Sequence, residues 1–233
     1  MKRLENKWAL VTGSSRGIGQ QIAWGLAERG CNVIVHGRDA KNLEETLAKL
    51  KTYNVQTHFA TGELSTPAGI AQTIKQAMDA PGPVDILYNN AAVMSKNESF
   101  FTVAQAEWDR VFQINVWAVM ALCQAFAPGM RERGYGRIIN LTSGIADQPN
   151  LAVYSVSKAA VDKYSRDLAA EFKSENVLVN FLDPGWLQTD LGGKNAMYPV
   201  EDVLPGALVP ALLEDNGPTG RFFAAQDFRY LER

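Results

Sequence analysis

Histidine and cysteine are scarce in this chain, with two of each among 233 residues. His36 and His58 stand alone, so neither an H-E-x-x-H helix nor a Cys/His zinc pattern can be assembled, and no metal site is expected. Cys31 and Cys123 lie far apart in apolar surroundings. They fit buried thiols in a reducing compartment rather than a disulfide framework. A strong charge of either sign is missing too. The net charge is −2 and no basic run occurs, so neither nucleic acid nor an anionic membrane is expected as a partner. The opening residues, MKRLENKWALVTG, hold no signal-peptide apolar region. The longest central apolar run, Val116 to Cys123, falls well short of the about 20 residues that span a bilayer. A cytoplasmic soluble protein is the expectation. Linkers, short repeats and composition shifts are also lacking, so residues 1–233 are read as a single domain for dinucleotide binding and catalysis.

What is present is an alternation. Short apolar runs rich in β-branched residues take turns with longer amphipathic segments. Strands are expected at Trp8 to Val11, Asn32 to Val35, Val55 to Ala60, Val84 to Tyr88, Arg137 to Leu141, Val177 to Leu182 and Arg221 to Phe223. Helices are expected from the glycine turn to about Arg29, through Leu43, Leu47 and Leu50, and from Pro67 to Met78. Further helices should cover Ala104 to Met130, Val153 to Phe172 and Leu204 to Leu213. Strand, helix, strand with crossover lengths like these means an α/β fold of Rossmann type. The sheet should be doubly wound, mainly parallel and seven-stranded, with helices on both faces.

Six stretches carry chemistry. After the first strand, Gly13, Gly17 and Gly19 stand in a T-G-x-x-x-G-x-G turn with Ser15, Arg16 and Ile18 between them. Glycines let the backbone turn sharply and approach a pyrophosphate seated on the helix N-terminus. The second strand ends at Gly37-Arg38, where a carboxylate would hold the 2′-hydroxyl of NAD. Arg16 and Arg38 instead suit a 2′-phosphate, so NADP(H) is favoured over NAD(H). Asp39 is read as the cap of the next helix. After the fourth strand, Asn89-Asn90-Ala91-Ala92 either lets a cofactor lie against the backbone or is an ordinary turn. Asn115, inside an apolar helical segment, must be hydrogen-bonded, as a structural tie or as a water holder. Pro184-Gly185-Trp186-Leu187-Gln188-Thr189 either holds a carboxamide or is a plain loop. Between these, Ser143 follows the fifth strand, and Tyr154 and Lys158 sit four residues apart. On a helix that spacing puts both on one face, and a fixed ammonium makes a phenol easier to ionise. Such a phenol gives or takes a proton at a carbonyl or alcohol oxygen.

Taken in order and approximate spacing, the glycine turn, Asn89-Asn90-Ala91-Ala92, Asn115, Ser143, Tyr154-x-x-x-Lys158 and Pro184-Gly185-x-x-x-Thr189 resemble the short-chain dehydrogenase/reductase family, over Leu4 to Phe223. The resemblance implies hydride transfer between a nicotinamide and a carbonyl or alcohol carbon. It implies a catalytic set of Asn115, Ser143, Tyr154 and Lys158. Tyr154 would be the acid in reduction and the base in oxidation. Lys158 would lower its pKa and bond the nicotinamide ribose, Ser143 would bond the substrate oxygen, and Asn115 would hold a relay water. Gly13, Ser15, Arg16, Gly17, Ile18, Gly19, Arg38, Asn90, Ala91, Pro184, Gly185, Leu187 and Thr189 would meet the cofactor, with Glu63 and Leu64 where the family usually has an aspartate. The chain departs from the family in reading N-N-A-A for N-N-A-G and in a shorter loop between Ser143 and Tyr154.

The substrate is left to the loops beyond the strand ends, where Met94, Ile145, Gln148, Trp186, Leu191 and Met197 are candidate wall residues. The segment from Thr189 to Pro205 is short, so the lid should be small and the site open. The run TDLGGKNAMYPVED with GPTGRFF later resembles the tail of carbonyl-reductase-type members and points to a ketone, aldehyde or quinone. A 3-oxoacyl thioester reductase, or a non-catalytic NADP(H)-sensing protein on the same fold, is the alternative. Family resemblance also implies a homodimer or homotetramer built on the helices at Ala104 to Met130 and Val153 to Phe172.

Overall fold

In a computed structural model the protein is described over residues 4–231. Seven strands form one sheet: β1 Trp8–Val11, β2 Asn32–Gly37, β3 Thr57–Thr61, β4 Ile86–Asn89, β5 Gly136–Leu141, β6 Val177–Asp183 and β7 Phe222–Ala224. Their spatial order is β3-β2-β1-β4-β5-β6-β7, and every pairing is parallel. The expected sheet is therefore found, wholly rather than mainly parallel. Six α-helices accompany it: α1 Gly17–Glu28, α2 Glu44–Leu50, α3 Pro67–Met78, α4 Gln105–Phe112, α5 Ala118–Glu132 and α6 Ala152–Glu171.

The period of two along each strand divides the core. Ala9, Val11, Val33 and Val35 face one way and pack with Ile22 and Leu26 of α1 and with Leu43 and Leu50. Leu10, Ile34, Leu87, Ile138 and Val179 face the other way, against Leu122, Phe126 and Met130 of α5 and Phe172. Each such aliphatic side chain, once fully buried, contributes about 1.5–3 kcal/mol, so both sheet faces need a helical cover. α3 starts as its sequence dictates, with Pro67 in the first turn and Thr66 Oγ1 accepting from Gly69 N at 3.0 Å.

Two segments differ from expectation. The stretch expected as a helix at Leu204 to Leu213 instead holds one tighter 3₁₀ segment, Gly206–Ala211, with another just before it at Val200–Val203. Pro205 and Pro210 explain this, since neither can donate an α-helical hydrogen bond. The helix expected at Ala104 to Met130 is broken by a π-type turn at Gln113–Trp117, centred on Asn115. Taken through that turn it runs from Gln105 to Glu132, long and apolar enough by length and composition to cross a membrane. Its apolar residues Leu122, Cys123, Phe126 and Met130 pack on the sheet, as in a core helix.

Candidate active site

The topology sets the location. Winding goes outward from β1 to β3, then jumps back to β4 beside β1, which leaves a crevice at the carboxyl ends of these two strands. Thr12 stitches it: Thr12 Oγ1 accepts from Asn90 N at 3.0 Å and from Ala91 N at 3.1 Å. Asn90 Nδ2 donates back to Thr12 O at 2.8 Å and Gly13 O at 3.1 Å. The Asn-Asn-Ala-Ala stretch thus braces the glycine turn. A methyl group on Gly19 would fall 2.4 Å from both Gly13 O and Asn90 Nδ2, so only hydrogen fits there. Gly13 and Gly17 take φ values of +63° and +61°, open to glycine at no steric cost.

The turn ends at the first residues of α1, whose N-terminus has neither a side-chain cap nor an acidic residue in its first turn. Its free N–H groups and positive dipole end fit an anion such as a pyrophosphate. Thr189 lies against the turn, its methyl 3.5 Å from where a Gly17 side chain would start. Gly185, with φ +85°, packs on Gln226, and Gln226 Nε2 donates to Pro184 O at 2.9 Å. Leu187 is buried and Ile18 packs into the core, while Ser15 is half-buried with its carbonyl accepting from Gln20 Nε2.

At the adenosine end Arg38 is exposed just past β2. Asp39 accepts from Asn42 N at 3.1 Å and Asn42 Nδ2 at 2.7 Å, the capping role expected of it. Arg16 is engaged elsewhere: its Nε is 3.0 Å from Asp190 Oδ2, on the segment after Thr189. Leu64 is a core residue packed with Ile70 and Ala118, and Glu63 Oε1 takes the Ser65 N–H.

His36, which carries no motif, is the residue that sequence reasoning missed. It is buried in β2, with Nδ1 accepting from Gly13 N at 3.1 Å and Nε2 facing Gly62 O at 3.2 Å. Those partners require the Nε2–H tautomer. Burial pushes its pKa down to about 4, so the ring is neutral and holds the glycine turn to the ends of β2 and β3. Its only sequence signal is a polar ring inside the apolar run Asn32–Gly37.

Tyr154 and Lys158 stand one turn apart on α6, 6% and 4% exposed. Ser143, just beyond β5, faces the Tyr154 phenol, and Ser143 Oγ accepts from Ile145 N at 3.2 Å. Lys158 Nζ donates to Leu141 O at 2.8 Å and lies 5.7 Å from the Tyr154 ring centre. The expected lowering of Tyr154 by Lys158 is not what the structure shows. Burial dominates and pushes Tyr154 up to about 12, the neighbouring Ser143 hydroxyl opposing and the Asp183 charge reinforcing it. Burial likewise brings Lys158 down to about 8, against the charges of Asp162 and Asp183. At neutral pH the pair is a phenol that holds its proton beside an ammonium.

Asn115 is a structural tie. Its Nδ2 donates to Val93 O and to Ser157 Oγ, each at 3.0 Å, and its Oδ1 accepts from Val93 N at 2.9 Å. The side chain has no donor left for a water and joins the strand-β4 loop to α6. That loop has a second anchor. Glu107, 5% exposed, takes Lys96 N at 2.7 Å and both Arg110 Nε and Nη2, while Arg110 Nη2 also donates to Met94 O at 2.8 Å. These bonds hold the Glu107 carboxyl near pKa 2.

The six wall candidates divide. Met94 and Ile145 are half-buried on the loops that carry Asn115's contacts and Ser143. Trp186 donates its indole N–H to Gly192 O at 2.8 Å and folds the lid segment on itself, aided by Gln188 N to Tyr198 O at 2.9 Å. Leu191 and Met197 sit on that segment, 39% and 66% exposed, and Gln148 is a surface residue. A surface cavity of about 420 Å³ lined by Arg131, Glu175 and Asn176 lies at the amino ends of β5 and β6, the opposite edge from the glycine turn.

A doubly wound parallel sheet with a glycine turn at its switch point, and a buried tyrosine–lysine pair on the same edge, defines a dinucleotide-dependent oxidoreductase. The chain belongs to the short chain dehydrogenase family, whose sequence pattern matches residues 7–197. It is 32% identical over 240 residues to a short-chain type dehydrogenase/reductase of Picea abies, covering 92% of this chain and 88% of the relative. It is 36% identical over 194 residues to the 3-oxoacyl-[acyl-carrier-protein] reductase FabG of Staphylococcus epidermidis, covering 80% and 77%. Among solved structures, a 3-oxoacyl (acyl-carrier-protein) reductase from Agrobacterium tumefaciens C58 with NADP bound superposes with a TM-score of 0.84 at 26% identity, covering 95% of this chain and 93% of that one. The family uses a nicotinamide cofactor.

Proposed function

We propose that the protein is an NADP(H)-dependent carbonyl reductase or alcohol dehydrogenase acting on a ketone, aldehyde or quinone. The observation that carries this is the buried Tyr154 phenol, facing Ser143 and one helical turn from the Lys158 ammonium. The nicotinamide supplies or accepts the hydride. Ser143 bonds the substrate oxygen as charge builds on it. Tyr154 gives that oxygen its proton in reduction and removes it in oxidation. Lys158, fixed by the Leu141 carbonyl, keeps a positive charge beside the phenol when the proton leaves.

Preference for NADP(H) rests on Arg38, exposed at the end of β2 with its would-be rival Asp39 occupied in capping. Ser15, Arg16 and Gly17 to Gly19 would meet the phosphates, Arg16 only by leaving Asp190. The similar NADP-bound reductase supports the same choice. Reduction of a 3-oxoacyl thioester is the second reading, supported by the similarity to two 3-oxoacyl reductases. Against it, Lys194 is the only basic residue from Thr189 to Pro205, beside Asp190, Glu201 and Asp202, a poor match for an acidic carrier.

We place the enzyme in the cytoplasm, as one domain, on the strength of its two buried free thiols. A homodimer or homotetramer through α5 and α6 is supported by Trp117 and Val156, 52% and 43% exposed on these helices and the turn before them. The test is NADPH oxidation against a panel of ketones, aldehydes, quinones and a 3-oxoacyl thioester, with Tyr154→Phe alongside. Turnover of a carbonyl by the wild type, lost by about a hundredfold or more in the variant, is expected. NADPH binding without turnover on any carbonyl would favour the cofactor-sensing alternative.

A further inference from the structure

The sixth strand ends in Asp183, whose carboxylate grips two loops at once. Its Oδ2 accepts from Gly144 N at 3.0 Å, and its Oδ1 accepts from Gly185 N at 2.9 Å. The first loop opens with Ser143. The second is the Pro184-Gly185 turn that leads to Thr189 on the glycine-turn side. The contact is close enough to restrict the sequence, since a methyl group on Gly144 would lie 2.7 Å from Oδ2. Gln226 holds the same Pro184-Gly185 turn from its other side, so the turn is pinned between two side chains.

The charge of Asp183 also reaches the reacting groups. From β6 it faces Tyr154 and Lys158, and it favours the protonated form of each. The other groups facing this pair are Ser143 from the β5 loop and Asp162 from α6 itself. Asp162 in turn faces Arg166 and Thr142.

We propose that Asp183 is a positioning residue that locks the serine loop to the Pro184-Gly185 turn, so that Ser143 and Tyr154 meet one substrate oxygen from fixed directions and Tyr154 holds its proton until that oxygen takes it. This rests on the reading of Tyr154 as proton donor. Neither nitrogen in the lock belongs to a catalytic side chain, so Asp183 acts through the loops and through its field. Two carboxylate-assisted bonds to backbone N–H groups are about twice as strong as neutral ones, which makes the lock stiff for its size.

Three variants separate geometry from charge. Asp183→Asn keeps the shape, offers one acceptor and turns an N–H toward the second donor. Asp183→Ala removes both bonds, and Asp183→Glu keeps the charge. Hydrogen–deuterium exchange read on peptides covering Gly144 and Gly185 should speed up about tenfold in Asp183→Ala and less in Asp183→Asn. In ketone reduction, Asp183→Asn should lower kcat about tenfold with NADPH affinity changed less than about threefold. Its basic limb should move about half a pH unit toward acid, because Lys158, which loses its proton before the phenol, does so sooner without the neighbouring charge. Asp183→Glu should keep the limb where it is in the wild type. Unchanged exchange at Gly144 in Asp183→Ala, or in Asp183→Asn if the alanine variant does not fold, overturns the lock. An unmoved limb in Asp183→Asn overturns the role of the charge. Equal activity of Tyr154→Phe and wild type would instead remove the proton-donor reading, while the exchange result still decides the lock.

Discussion

His36 yields a pH dependence that can be calculated in advance. The folded ring is neutral because burial lowers its pKa from the ordinary 6.5 to about 4, and its two nitrogens already serve Gly13 N and Gly62 O. Protonation would put a second N–H where Gly13 needs an acceptor. The unfolded chain takes up a proton below about pH 6.5, and the folded chain only near 4, so stability falls as pH falls through that window. At 1.36 kcal/mol per pH unit the gap corresponds to about 3 kcal/mol, a large part of the stability of an ordinary domain. Asparagine at this position can still accept from Gly13 N and does not titrate. The assay is urea unfolding of wild type and His36→Asn at pH 7, 6, 5 and 4.5. Wild type should start more stable, by about 1–3 kcal/mol for the Gly62 contact it keeps, and that advantage should vanish as pH falls. Parallel curves for the two proteins from pH 7 to 4.5 would refute the account, because the lost stability would then belong to other groups.

Three further outcomes follow from the same geometry. Arg38→Ala should weaken NADPH binding by about tenfold or more and NADH binding hardly at all, read by nucleotide fluorescence titration; equal losses would remove Arg38 from the 2′-phosphate. Glu107→Gln should cost about 2 kcal/mol in chemical denaturation, since Arg110 and Lys96 N lose a charged partner. Because that carboxyl titrates near 2 in the folded state, its contribution is present above about pH 4.5 and is lost as pH falls toward 2, so the two unfolding curves should converge there. Gly19→Ala should lose nucleotide binding and much of its stability together, because the new methyl would meet Gly13 O and Asn90 Nδ2 at 2.4 Å. A well-folded alanine variant with unaltered NADPH affinity would contradict the packing described.

Fold class was legible in the sequence because parallel strands buried on both faces must read as short β-branched runs between amphipathic helices. The strand order, and the crevice it creates between β1 and β4, came only with the structure. Local chemistry was legible where spacing maps directly onto a helix or turn. Tyr154 and Lys158 share a face of α6, Thr66-Pro67 start α3, and Asp39 caps the turn after β2. The 3₁₀ segment Gly206–Ala211 was equally written in Pro205 and Pro210, whose missing N–H donors rule out a regular α-helix there.

What could not be read was anything set by burial or by contacts between distant stretches. Tyr154 next to a lysine suggests an easily ionised phenol when the two are taken as neighbours in water. In the folded chain burial of the phenol keeps it protonated, while the ammonium is held by Leu141 O. Asn115 turned out to have every side-chain donor in use, His36 to carry the glycine turn, and Asp183 to hold two loops, each through partners at least 22 residues away except for the neighbouring Gly185. Residue types and short spacings determined which groups this protein has available for moving a hydride and a proton. Tertiary packing decided their protonation states and directions, because burial and long-range hydrogen bonds exist only once the sheet has brought its strand ends together.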